Sequence, residues 1–97
     1  MDEAAVRAAA TGHAEATVAK DFKTAGSTLT PAAMAQAGDV MKAMPGELNG
    51  CEIAAVETDG AKTVVTIAYR GSEGEASVRS TWADVDGRPM ITDLKVV

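Results

Sequence analysis

The second half of the chain contains runs of apolar and β-branched residues, and the last two of these runs alternate apolar and polar positions with the period of β-strands. Four such runs are separated by three short turns and cover residues 51–57, 63–69, 76–85 and 90–96. The first and third turns contain Asp59-Gly60 and Asp86-Gly87, dipeptides that supply the positive backbone angles of tight hairpins. Because parallel neighbours would need long crossover connections, the pattern predicts an antiparallel four-stranded meander.

The predicted strands divide their side chains between two faces. The third run places alternate residues on opposite faces, Val78, Ser80 and Trp82 against Arg79, Thr81 and Ala83. In the fourth run Met90, Leu94 and Val96 share one face. We therefore expect one apolar face, covered by other elements, and one outer face of small and polar residues.

The first half predicts two helices. Residues 2–22 are rich in alanine and contain no proline, which favours a helix with Asp2 near its start. One face of this helix carries, at helical spacing, Val6, Ala10, His13 and Thr17. Residues 23–29 contain Gly26-Ser27 and are predicted to be a connection.

The second helix begins at Thr30-Pro31, an N-cap followed by proline at the first helical position. It ends at Pro45-Gly46, with Gln36 and Asp39 predicted on its solvent side. The opposite stripe, predicted to cover the sheet, consists of Met34, Ala37, Met41 and Met44. Methionines adapt to irregular surfaces, so this stripe is either plain core or the lining of a ligand cavity.

Composition narrows the classes of protein. At 97 residues, positions 1–97 are expected to form a single domain. The net charge of −5 is scattered and leaves no basic patch, so we expect no nucleic-acid partner. No apolar run approaches the length of a membrane span, and the start lacks the pattern of a signal peptide. We expect a soluble protein, and the single cysteine is typical of the cytoplasm.

Metal and cofactor chemistry has little support in the sequence. Cys51 is the single cysteine and His13 the single histidine, which excludes a disulfide within the chain and clusters of cysteine or histidine ligands. The glycine-rich segment 71–74 is not followed by a helix or a lysine, so it is no phosphate loop. We expect no metal and no cofactor.

The segment 80–91, a tryptophan strand that passes through an acidic-glycine turn into a last strand, resembles the end of nuclear transport factor 2-like domains. Residues 20–22 and 29–31 also resemble the helix end and second-helix start of small members. This superfamily includes SnoaL-like and ketosteroid isomerase-like proteins. The resemblance implies an α+β cone, with two N-terminal helices packed on a curved four-stranded antiparallel sheet. It also implies a homodimer through the outer sheet face. The chain is shorter than most members.

Catalysis of the kind known in ketosteroid isomerase-like members needs a carboxylate base and, across from it, a tyrosine. Tyr69 is the single tyrosine, while Asp39 and Asp93 are predicted at the surface. Arg79 with Asp84 and Asp93 does not match the spacing of the epoxide-hydrolase motif. No catalytic residue of these families is therefore assigned to this chain, and His13 and Tyr69 stay as weak candidates for a catalytic role.

We expect a non-catalytic binding domain for a small apolar ligand or a protein partner, with the ligand held by Met34, Met41, Tyr69 and Trp82. One alternative is a small isomerase, cyclase or dehydratase of the same superfamily. Another is a protein inhibitor or immunity-type protein, which would have no pocket. Whether those four side chains surround an open volume distinguishes the first two classes from the third.

Overall fold

The computed structural model describes residues 2–97, in which three helices precede a four-stranded sheet. The helices are α1 (Glu3–Val18), α2 (Phe22–Gly26) and α3 (Pro31–Ala43). The strands are β1 (Leu48–Asp59), β2 (Lys62–Gly71), β3 (Gly74–Val85) and β4 (Arg88–Val96). They pair antiparallel in the order β1-β2-β3-β4, so the predicted meander and the α+β class are confirmed.

The first helix is shorter than predicted, and a short helix that was not predicted, α2, follows it. Asp2 caps α1 by accepting a hydrogen bond from the Ala4 amide at 3.1 Å. The helix stops after Val18, and Lys20 adopts a left-handed conformation with φ of 62°. Asp21 then accepts from the Thr24 amide at 3.3 Å, which starts the short α2 inside the predicted connection. No helix among residues 2–97 combines the length and apolar character that crossing a bilayer requires.

The start of α3 is as predicted, since Thr30 accepts from the Ala33 amide at 3.4 Å. The predicted faces of this helix are partly wrong. Gln36 lies against β4, where its Nε2 donates to Asp93 Oδ1 and its Oε1 accepts from the Leu94 amide, each at 2.9 Å. The stripe therefore covers the sheet only in part, and Met34 and Met41 remain exposed.

The outer edge of β4 is occupied by the segment before α3. The Ile91 amide donates to the Thr28 carbonyl at 2.7 Å, and the Thr30 amide donates to the Ile91 carbonyl at 3.0 Å. This forms a short parallel bridge between Leu29 and Ile91. Together with Gln36, the bridge satisfies backbone groups that an edge strand would otherwise leave unpaired.

The core lies between the helices and one face of the sheet. Small residues of α1 pack there with apolar residues of the strands, among them Ala10, Ala14, Val65, Ile67, Trp82 and Ile91. Trp82 is fully enclosed, and its Nε1 donates to Ser80 Oγ at 2.9 Å. Ser80 Oγ donates in turn to the Val65 carbonyl at 2.9 Å. The indole N–H is thereby satisfied inside the core.

A bulge changes which residues of β4 face the core. The β3–β4 pairing shifts between Thr81 and Trp82, so that Trp82 pairs with Ile91 and Thr81 with Asp93. Ile91, rather than the predicted Met90, therefore lies in the row that contains Leu94. Ile91 is fully buried against Trp82.

Gly71 is required by the close approach of two segments. A Cβ at this position would lie 2.5 Å from the Glu47 carbonyl oxygen and 2.8 Å from Pro45 Cβ. We expect Gly71→Ala to lower the free energy of unfolding by about 1–3 kcal/mol, because backbone must shift to admit the methyl group. Urea unfolding measures this change. Gly12→Ala is the control, since a Cβ there meets nothing within 4 Å and gains helix propensity. Equal stability of the two variants would contradict the argument.

The side chain of Gln36 is expected to hold α3 on the sheet. Gln36→Met keeps the length of the side chain but leaves the Leu94 amide without its acceptor, so we expect a loss of about 1–2 kcal/mol in the free energy of unfolding. Hydrogen exchange of the Leu94 amide should accelerate in the same variant. Asp93→Asn, which retains an acceptor oxygen for Gln36, should change both quantities little. Unchanged exchange in Gln36→Met would show that the amide has another partner.

Candidate functional site

A pocket of about 230 Å³ separates the two longer helices. Helix α1 packs on β1 and β2, whereas α3 packs on β4, so the two helices diverge above the middle of the sheet. His13 and Thr17 line the pocket from α1, and Phe22 lines it from α2. The side of α3 that runs from Met34 to Met41 forms a further wall, and Tyr69 of β2 contributes from the sheet.

The rim of this pocket carries exposed apolar side chains. Phe22, Met34 and Met41 are 52%, 51% and 43% exposed. Val97 is the other large apolar residue so exposed among residues 2–97, and it is the last residue of the chain. A cluster of exposed apolar side chains around a concave surface is typical of a binding site. These side chains lose free energy by contact with water, and a bound apolar molecule would remove that contact.

His13 is positioned by contacts on both sides of its ring. Its Nδ1 lies 3.0 Å from the Ala25 carbonyl oxygen of α2 and 3.2 Å from Thr28 Oγ1. The ring meets Trp82 edge to face, with centroids 6.3 Å apart. Burial lowers the pKa of His13, and the hydrogen bond to Ala25 opposes that shift. The imidazole is therefore neutral at neutral pH.

Tyr69 lies at the sheet side of the pocket, where only 2% of the residue is exposed. Burial raises the pKa of its phenol to about 12, although the Thr17 side chain opposes the shift by hydrogen bonding. Thr17 Oγ1 also donates to the His13 carbonyl at 2.9 Å. The pocket thus presents a neutral phenol next to a hydroxyl that is itself held by α1.

The structure brings most of the sequence-predicted site residues together. Met34, Met41, Tyr69 and His13 all line the pocket, and they surround an open volume. Trp82 does not line it, because the indole is enclosed in the core beneath His13. His13 lines the pocket as a buried residue, with 9% of its surface exposed.

The carboxylates weighed in the sequence are not part of the pocket. Asp39 is exposed, and Asp93 is exposed and accepts from Gln36. No Asp, Glu, Lys or Arg of the described residues lines this pocket. Within the same residues, no group of three His, Cys, Asp or Glu side chains is placed to hold a metal ion.

Phe22 and Gly38 are among the lining residues that were not anticipated from the sequence. Phe22 was expected at a helix end, but the capping of α2 by Asp21 directs it to the rim. Gly38 lies in the middle of α3 and lines the pocket, and a Cβ there would meet nothing within 4 Å. The sequence does contain an indication for Gly38. A glycine in the middle of a well-capped helix lowers helix stability, so its presence there indicates a role other than helix formation.

Comparison with known proteins supports the fold. No protein-family model matches the chain, and no curated protein matches it. A crystal structure of a protein from Kribbella flavida DSM 17836 is similar, with a TM-score of 0.61 over 96% of this chain and 85% of that chain. The two sequences are 17% identical, so the similarity shows a shared fold alone.

The state of His13 predicts how stability depends on pH. Above the ordinary pKa of 6.5 the side chain is neutral in both the folded and the unfolded state, so it contributes nothing to the pH dependence of stability. Below that pH the unfolded chain binds a proton that the folded chain resists, so the free energy of unfolding falls until the lowered pKa is reached. We expect the difference in stability between wild type and His13→Gln to shrink as the pH falls from about 7.5 to about 5.

Urea unfolding of both proteins across this range measures the difference, in which the contributions of the carboxylates cancel. Parallel stability curves for wild type and His13→Gln would show that His13 has the same pKa in the folded and unfolded states.

Proposed function

We propose that this protein is a non-catalytic binding domain whose pocket holds a small apolar molecule. The observation that carries the proposal is the ring of exposed Phe22, Met34 and Met41 around an uncharged cavity. Ligands of this kind bind in concave, mostly apolar sites that contain a few polar groups. His13, Thr17 and Tyr69 supply such groups here.

The arrangement of α3 supports this proposal. Gln36 and the bridge before the helix fix one side of α3 to β4. The pocket side of the same helix, which includes Met34 and Met41, faces open space. Flexible methionine side chains adapt to ligands of irregular shape at low cost.

Two helix glycines allow a matched test of the pocket. Gly38→Leu places an isobutyl group on the pocket side of α3, whereas Gly12→Leu places the same group on the exposed side of α1. Neither new Cβ meets an atom within 4 Å, and each variant gains helix propensity, so both are expected to fold. The probe is N-phenyl-1-naphthylamine, an uncharged apolar dye that becomes fluorescent on leaving water.

We expect wild type and Gly12→Leu to bind the dye equally and Gly38→Leu to bind it at least about tenfold more weakly, because the added side chain fills part of the space that the dye needs. Fluorescence titration gives the three dissociation constants. Equal binding by Gly38→Leu, or no binding by wild type, would overturn the proposed function.

Membership of the nuclear transport factor 2-like superfamily is part of the same proposal. It is supported by helices that cover one face of a four-stranded meander and by a cavity between those helices and the sheet. The enzyme alternative has one observation in its favour, since His13 and Tyr69 line the same cavity. We prefer binding to catalysis because no carboxylate of residues 2–97 lines the cavity to act as the base of an isomerase.

We propose a homodimer through the outer face of the sheet, where Ser77, Thr81 and Ala83 are half-buried small side chains directed away from the helices. A free cysteine, Cys51, accords with a cytoplasmic location. An inhibitor or immunity-type protein has less support, because that class was expected to have no pocket.

A further inference from the structure

The polar groups of the pocket differ in what they offer a ligand. A carbonyl oxygen only accepts hydrogen bonds, so the 3.0 Å contact with Ala25 places the imidazole proton of His13 on Nδ1. Thr28 Oγ1, which also lies near Nδ1, donates to the same carbonyl at 3.0 Å. Nε2 of the neutral ring therefore carries a lone pair and can accept a hydrogen bond.

Nε2 is available to a ligand. No hydrogen bond within residues 2–97 engages it, although every fully enclosed side-chain nitrogen or oxygen atom of these residues has a partner. The atom is therefore not enclosed, and the open space that His13 lines is the pocket. An acceptor with no donor from the protein is the feature that a ligand hydroxyl would complement.

The remaining groups exclude a charged ligand. The lining is apolar apart from His13, Thr17 and Tyr69, none of which is charged at neutral pH. An anion or a cation would lose its hydration here without gaining an opposite charge. Tyr69 can donate its O–H to the oxygen atom of a ligand, or to Thr17 when the pocket is empty.

We propose that the pocket selects an uncharged alcohol or phenol with an apolar body, whose O–H donates to Nε2 of His13 while Tyr69 donates to the same oxygen. This inference rests on the proposed function and names the chemical class of its ligand. An engineered apolar cavity of roughly 150 Å³ accommodates benzene. The larger volume of about 230 Å³ therefore fits a fused two-ring or branched ten-carbon skeleton.

Three naphthalene derivatives of similar shape test the inference on the intact protein. 2-Naphthol carries a donor, 2-methoxynaphthalene carries the same oxygen without a donor, and 2-naphthoate carries a negative charge. By calorimetric titration at about pH 7.5, we expect 2-naphthol to bind about tenfold more tightly than 2-methoxynaphthalene, which is the value of one buried hydrogen bond. We expect no measurable binding of 2-naphthoate.

Two variants separate the roles of the polar groups. Tyr69→Phe removes a donor that serves both ethers and alcohols, so it should weaken 2-naphthol and 2-methoxynaphthalene by the same factor and keep their ratio. His13→Phe should abolish the ratio, because no acceptor remains. Since His13 also contacts α2, this variant is tested for folding by circular dichroism.

A nitrogen-15 spectrum of wild-type protein decides the question even if His13→Phe does not fold, because the chain contains a single histidine. The Nε2 resonance should move toward its protonated position when 2-naphthol binds and should respond much less to 2-methoxynaphthalene. Equal affinities with an unchanged Nε2 resonance would overturn this inference and leave the proposed function standing. Failure of both neutral probes to bind would overturn the two together.

Discussion

The outer edge of β4 is the constraint on which the placement of the helices depends. Its backbone groups need hydrogen-bond partners, which are supplied by the backbone of residues 28–30 and by the side-chain oxygen of Gln36. These bonds fix α3 over the last strand, while the small residues of α1 pack at the other end of the sheet. The helices consequently diverge, and the space between them becomes the pocket.

The pocket combines a strongly apolar wall with a narrow choice of polar contacts. Because His13 is held by α2 on one side and by Trp82 on another, its ring cannot turn to satisfy Nε2 elsewhere. Thr17 Oγ1 is held in place by α1, since it donates to the backbone carbonyl of His13 at 2.9 Å. Such a rigid, uncharged arrangement accords with the proposed recognition of a neutral ligand. Proton transfer would instead favour a base whose pKa lies near the working pH.

Features set by local chemistry could be predicted from the sequence, and those set by distant partners could not. The Thr30-Pro31 cap and the turn at Asp86-Gly87 depend on neighbouring residues, and both form as expected. Gln36 was misplaced because its partners on β4 lie more than fifty residues away. Met34, Met41 and Tyr69 were predicted as lining from their residue types. The enclosure of Trp82 depends on Ser80 as a hydrogen-bond acceptor, which residue type alone does not indicate.

We propose that the space between α1 and α3 binds a small apolar molecule. The most direct measurement is a methyl spectrum of protein labelled with carbon-13 at the methionine methyl groups, recorded while N-phenyl-1-naphthylamine is added. Met34, Met41 and Met44 line the pocket, whereas Met90 is buried outside it. We expect saturable shifts for the first three methyl groups and a constant position for Met90. Unchanged positions for all four, or a shift confined to Met90, would contradict it.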